Sequence, residues 1–193
     1  MKLLGSIAPD FNCQALINGE IKQVSLAYFA DKYKILLFYP LDFTFVCPTE
    51  LHAFQERYHE FKQRNTVILA ISVDSVYSHQ AWLEQPKSEG GIQGIEFPLL
   101  SDITKAIARD YNVLDEDKGI AYRAIFLLDK SNIIQIMQVN NLNLGRNVNE
   151  ILRLLDALLF TEQHGEACPA NWHVGQEGMK ETKESVQDYF AKK

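Results

Sequence analysis

Short apolar runs rich in strand formers alternate with stretches of helical periodicity over residues 1–160, and this alternation restricts the chain to a layered α/β fold. Lys34 to Tyr39 and Thr66 to Val73 read as buried strands. Between them, Glu50 to Arg64 places Leu51, Phe54, Tyr58 and Phe61 three and four residues apart, which predicts one face of a helix. Ser78 to Lys87 predicts a second helix with Trp82 on its inner face, and Gly90, Gly91 and Gly94 break the pattern after it. Phe97 to Leu100 is a short extended piece, and Ile103 to Tyr111 a short helix. Ala124 to Leu128 and Ile133 to Val139 predict two strands joined by a turn at Asp129-Lys130-Ser131-Asn132. Asn147 to Phe160 predicts a long helix with the stripe Val148, Ile151, Leu152, Leu155, Leu158 and Leu159. Strand–helix–strand–helix followed by a hairpin and a helix argues for a central sheet flanked by helices.

After Phe160 the composition changes. Residues 161–178 have few aliphatic side chains and hold Gly165, Pro169, Gly175 and Gly178. They predict an extended arm, followed by a short terminal helix near Glu181 to Phe190. The expected organisation is a domain over 1–160 and an arm over 161–193. A hydrophobic content of 47% supports a real core, so the chain is not expected to be disordered. Net charge of −6 without a long Lys/Arg run makes nucleic acid and anionic membranes poor partners. No apolar run approaches the roughly 20 residues of a membrane span. The start is broken by Pro9 too soon for a signal peptide. Three cysteines do not staple a secreted domain, so a reducing compartment, the cytoplasm, is the expected location. A processed organelle protein would look the same.

Among the cysteines, Cys47 stands out. It lies in the run Pro40-Leu41-Asp42-Phe43-Thr44-Phe45-Val46-Cys47-Pro48-Thr49-Glu50, between a predicted strand and a predicted helix. The amino end of a helix carries partial positive charge and free backbone N–H groups, which favours the thiolate, the reactive form. Asp42 and Glu50 oppose that ionisation unless they are paired, so the site needs cations. Pro40 and Pro48 stiffen the segment, and Pro48 suits a first helical turn. Thr44 offers a hydroxyl that orients an oxidant or caps the helix. Cys13 reads as a small buried hydrophobe. His164, Cys168 and His173 match no common zinc spacing, and no metal is expected. His79 reads as structural, and His52 and His59 lie two turns apart, too far to share an ion. The Gly90 to Gly94 loop is no phosphate cradle. Glu at position 50 excludes the C-x-x-C of a dithiol exchanger.

The run from Asp42 to Glu50 resembles the active-site segment of peroxiredoxins. Glu166-Ala167-Cys168-Pro169-Ala170-Asn171-Trp172 resembles the resolving-cysteine segment of their typical two-cysteine subgroup, the alkyl hydroperoxide reductase and thiol-specific antioxidant family. Ser72-Val73-Asp74-Ser75 with His79 and Trp82, Tyr122-Arg123, and Gly145-Arg146 followed by Glu150-Ile151-Leu152 extend the likeness nearly end to end. The resemblance implies a thioredoxin-like fold, peroxide reduction and homodimers, often assembled into rings of ten. It implies that Cys47 attacks the peroxide, becomes a sulfenic acid and forms an intersubunit disulfide with Cys168. A thioredoxin-like protein or a flavoprotein disulfide reductase then restores both thiols. Arg123 is similar to the family's active-site arginine, and Arg146 to the arginine that pairs with Glu50. No metal, haem or flavin cofactor is implied. The family's signature for overoxidation sensitivity is a Gly-Gly-Leu-Gly loop and a terminal Tyr-Phe pair. Here these read Gly90-Gly91-Ile92-Gln93 and Tyr189-Phe190, so intermediate sensitivity is expected. The alternative from another class is a ring-forming holdase chaperone as a second role.

Overall fold

In the computed structural model, which describes residues 2–192, β1 (Cys13–Ile17) and β2 (Glu20–Val24) form a hairpin at the amino end. Asn18 and Gly19 join them with φ of 51° and 78°. A two-residue turn with both φ values positive matches the twist of the strands it connects, and Asn-Gly accepts that conformation with little strain. β3 (Tyr33–Phe38) follows and is buried along its whole length. A loop leads to α1 (Cys47–Glu56), α2 (Tyr58–Gln63) and β4 (Thr66–Ser72). Then come α3 (Val76–Glu84), β5 (Leu99–Ser101) and α4 (Ala106–Asp110). A small ribbon of β6 (Leu114–Asp115) and β7 (Ile120–Ala121) precedes β8 (Arg123–Leu128) and β9 (Ile134–Asn140).

The main sheet has seven strands in the order β2-β1-β5-β4-β3-β8-β9. β4 runs parallel to β3 and β5, and the other pairs are antiparallel. Central strands buried on both faces carry near-continuous apolar runs, and β3 and β4 show that composition. Leu36 and Phe38, with Leu69, Ile71 and Phe126, feed one core cluster, where the rings of Phe38, Tyr111 and Phe126 pack edge to face or tilted. α2 lies against β4, and α3 against β1 and β5.

The chain divides into two units, the first ending at Arg146 and the second beginning at Asn147. The second unit holds α5 (Val148–His164), the arm, and α6 (Lys183–Ala191). Asn147 caps α5 by accepting the Asn149 N–H, and Gly165 ends it at φ 66°. Val148, Ile151, Leu152 and Leu155 of the predicted stripe are buried, and Leu158 and Leu159 are half-buried. The arm folds back on α5. Trp172, 2% exposed, stacks on Phe160, and its backbone carbonyl accepts from Arg153 Nη1 at 2.9 Å. A bridge between Ala167 and Met179 closes the segment.

Local features differ from the sequence-based expectation, and the first is that α5 runs past Phe160 to His164, into the predicted arm. The predicted helix over 50–64 starts earlier, at Cys47, and breaks at Arg57, whose φ of −106° and ψ of 6° leave the helical region. The face of Leu51, Phe54, Tyr58 and Phe61 is nevertheless buried across the break. The predicted helix over 78–87 starts at Val76, where Ser75 caps it, and ends at Glu84 ahead of Pro86. The helix over 103–111 shrinks to Ala106–Asp110. Among the described residues no helix is long and apolar enough to cross a membrane.

Candidate active site

Residues 39–46 carry the chain from the end of β3 to α1, and Cys47 is the first residue of that helix. Pro40 is buried where the loop leaves the sheet, and Phe43 takes a positive φ of 55°. Pro48 occupies the first turn, where its missing N–H costs nothing. Thr44 does not cap the helix. Its hydroxyl donates to the Leu41 carbonyl at 2.9 Å and tightens the loop, while its lone pairs remain as acceptors. Val46 stands at the N-cap position without a side-chain cap bond, so the partial positive charge of the helix end stays beside Cys47.

A reactive thiol needs access for its oxidant, yet Cys47 is fully buried, at 0% exposure. Arg123, the first residue of β8, reaches it: Nη1 lies 3.4 Å from Cys47 Sγ and donates to Glu50 Oε2 at 2.8 Å. Its Nε donates to the Leu142 carbonyl at 2.6 Å, a backbone partner that no sequence signal marks. Arg146 holds Glu50 in a two-pronged grip, Nε to Oε1 at 2.8 Å and Nη2 to Oε2 at 2.7 Å, with its backbone N–H adding 2.9 Å to Oε1. Arg146 Nη1 donates to the Phe38 and Ala124 carbonyls at 2.7 and 2.8 Å, which pins it between β3 and β8. Burial by itself would lift the Glu50 carboxyl. The hydrogen bonds and charge of Arg146, the charge of Arg123 and the Arg146 backbone N–H outweigh it and hold Glu50 below the ordinary carboxylate range. The structure thus brings Cys47, Glu50, Arg123 and Arg146 together, with Thr44 and Pro40 in the loop beside them.

The second acid near the thiol, Asp42, is paired as well. Its Oδ2 accepts from Ser78 Oγ at 2.8 Å and lies 2.8 Å from His79 Nδ1, and its Oδ1 accepts from the Tyr39 hydroxyl at 2.8 Å. The Asp42 backbone N–H donates to Asp74 Oδ2 at 2.9 Å. This network, missed at the level of sequence, ties the loop to the ends of β4 and α3. Asp42 required a partner, but nothing in the spacing pointed to His79, which was read only as structural.

Cys168 lies in the second unit, its Sγ 3.7 Å from the Ala157 carbonyl. Burial pushes its thiol up, and the charge of Arg153 opposes that. Cys13, half-buried in β1, is pushed up to about 12 by burial and by Asp102. A thiol pushed that high stays protonated at neutral pH.

A family model described as the AhpC/TSA family matches residues 4–137, and one described as the C-terminal domain of 1-Cys peroxiredoxin matches residues 157–192. Peroxiredoxin prdx-2 of Caenorhabditis elegans is 49% identical over 98% of this chain and 94% of its own length. The chloroplastic 2-Cys peroxiredoxin BAS1 of Hordeum vulgare is 47% identical over 99% of this chain and 91% of its own. Among solved structures, reduced 2-Cys peroxiredoxin of Plasmodium vivax superposes with a TM-score of 0.96 at 45% identity, covering 99% of this chain and 100% of that one.

Proposed function

The chain belongs to the AhpC/TSA family as a two-cysteine peroxiredoxin with a thioredoxin-like fold, a thiol-dependent peroxidase, and we propose that Cys47 is its peroxide-reducing thiol and Cys168 of a second subunit its resolving thiol. One observation carries the assignment of Cys47: a single Arg123 nitrogen stands against both its sulfur and the Glu50 carboxylate. A guanidinium in that place favours the thiolate and offers donors to the oxygens of a hydroperoxide. Glu50 keeps Arg123 in position, and Arg146 keeps Glu50 from acting as an uncompensated negative charge beside the sulfur.

The thiolate of Cys47 attacks one oxygen of hydrogen peroxide or an organic hydroperoxide. The O–O bond breaks, and the second oxygen leaves with a proton as water or an alcohol. Thr44 and Arg123 orient the two oxygens, and Pro40 shapes the loop that carries Thr44. The residues covering Cys47 must move to admit the peroxide, which has only two heavy atoms at its reactive end. The resulting sulfenic acid condenses with the Cys168 thiol of the partner subunit, forming a disulfide and releasing water. A thioredoxin-like or flavoprotein dithiol then reduces that disulfide by exchange. A cycle that ends in two thiols suits a reducing compartment, and we place it in the cytoplasm.

We read the assembly as a homodimer built into a ring of five dimers. The edge strand β9 exposes Met137 and Val139, and the first unit exposes Phe43, Phe45, Tyr77 and Ile103, apolar side chains that an interface covers. One equivalent of peroxide followed by a non-reducing gel tests the pairing. The wild type is expected to run at twice the monomer mass, and Cys47→Ser and Cys168→Ser to remain monomeric. A band at twice the monomer mass in Cys168→Ser would overturn the assignment of the resolving thiol.

A further inference from the structure

Cys168 has to act as a nucleophile, and a thiol does so only as its thiolate. Its surroundings work against that. Burial pushes the thiol up. Its Sγ donates to the Ala157 carbonyl at 3.7 Å, a contact that only the protonated form makes. One charge opposes both, the guanidinium of Arg153. Other titratable groups lie around the thiol. His164 and Glu166 precede it in the chain, Glu150 and Asp156 belong to α5, and Glu177 and Lys180 lie on either side of Met179, across the bridge from Ala167. Among the described residues, Arg153 is the one whose charge reaches the sulfur.

The geometry explains why it is Arg153. Residues 153, 157 and 160 follow one another on one face of α5, at spacings of four and three. The turn formed by residues 168–172 lies over that face. Cys168 rests on Ala157, and Trp172 stacks on Phe160 with ring centroids 4.9 Å apart. The Trp172 N–H donates to the Pro169 carbonyl at 3.1 Å and closes the turn. Every nitrogen of the guanidinium is engaged. Nε and Nη2 donate to the two oxygens of Glu150 at 2.8 Å each, and Nη1 donates to the Trp172 carbonyl at 2.9 Å. Arg153 is thus fixed to the turn that carries Cys168. Along the helix axis it stands between Glu150 and Ala157, so its charge is nearer the thiol than that of its counter-ion.

We propose that Arg153 activates the resolving thiol, its charge favouring the Cys168 thiolate that attacks the Cys47 sulfenic acid of the other subunit. The proposal deepens the Cys47–Cys168 reading above and rests on it. The Cys168 thiol gives up its proton. The thiolate sulfur bonds to the sulfenic sulfur, and the S–O bond breaks. The hydroxide that leaves takes up a proton and departs as water, so no further oxidant or reductant enters the step. Arg153 acts through Cys168 and is a positioning residue. The side chains of Arg153 and Glu150 are 31% and 46% exposed, so added salt weakens the effect.

The test compares wild type with Arg153→Gln, which keeps an N–H donor and loses the charge, and Arg153→Lys, which keeps the charge and loses the fork. In a Cys47→Ser background, alkylation of Cys168 by iodoacetamide is followed against pH, with peptide mass separating it from Cys13. The profile gives the pH at which the thiol ionises. With Cys47 present, samples quenched after one equivalent of hydrogen peroxide and run on non-reducing gels give the rate of disulfide formation. Arg153→Gln is expected to ionise at higher pH than wild type, and Arg153→Lys close to it. A tenfold fall in thiolate is partly offset by a roughly threefold gain in the nucleophilicity of the more basic sulfur. Arg153→Gln is therefore expected to form the disulfide about twofold to fourfold more slowly at pH 7, and to lose that deficit where both thiols are ionised. Unchanged ionisation of Cys168 in Arg153→Gln overturns the proposal. So does an equal shift in Arg153→Lys, or a deficit of the same size at every pH, since the geometry of the arm would then be the cause. In those three cases the disulfide still forms. A wild type that forms no intersubunit disulfide overturns the Cys47–Cys168 reading itself and this proposal with it.

Discussion

Glu50 carries one negative charge against two guanidinium groups, and all three side chains are 5% exposed or less. Removing one member of a buried ion cluster strands the others. Glu50→Gln is therefore expected to lower stability by about 3–5 kcal/mol at neutral pH, read as a shift in the urea midpoint. The sign of the pH dependence follows from the depressed carboxyl. A group whose folded-state value lies below its unfolded one stabilises above the unfolded value and loses that contribution as pH falls through the folded one. The gap between wild type and Glu50→Gln is thus expected to be full at pH 7 and to narrow below about pH 4.3. An equal gap at every pH would contradict the ion-cluster account. At this scale the sequence carried the acids, the arginines and the thiol, through a resemblance covering most of the chain. It did not carry Tyr39, Ser78 and His79 around Asp42, because side chains brought together by a sheet and a helix start leave no periodic trace.

α1 and α2 share one buried face but are separate helices, and the break at Arg57 has no proline or glycine to announce it. Periodicity reports which face is buried, and that face stays continuous across the break. The β1–β2 hairpin went unread although Asn18-Gly19 is a strong turn signal, because its strands alternate weakly: β2 is exposed at Glu20, Ile21 and Gln23. The long runs of β3 and β4 and the stripe of α5 were legible because burial there spans whole elements. The loop after α3 supplies the prediction at this scale. A Cβ at Gly91 would collide with the Gln85 backbone, so Gly91→Ala is expected to destabilise by about 1–3 kcal/mol, seen as a lower Tm with the circular dichroism of the folded state retained. An unchanged Tm would mean that the loop yields freely.

At the scale of the whole molecule, two units carry the two thiols, Cys47 in the first and Cys168 in the second. Composition marked the change in character after Phe160. It could not show that the arm folds back on α5, since the contacts of Trp172 with Phe160 and Arg153 join single residues and not patterns. The exposed apolar side chains of the first unit bear on assembly. Tyr77 is 69% exposed, so Tyr77→Glu is expected to leave monomer stability within about 0.5 kcal/mol and, if the ring of dimers proposed above forms through this face, to lower the assembly's mass to that of a dimer in light scattering. An unchanged mass would place the ring contact elsewhere. The claim on which the rest depends is that Arg123 makes Cys47 a peroxide-reducing thiol. Its most direct test is stopped-flow oxidation by hydrogen peroxide of Cys168→Ser and of the same protein carrying Arg123→Met. A loss of about 100-fold or more on removing the guanidinium is predicted, and equal rates in the two proteins would contradict it.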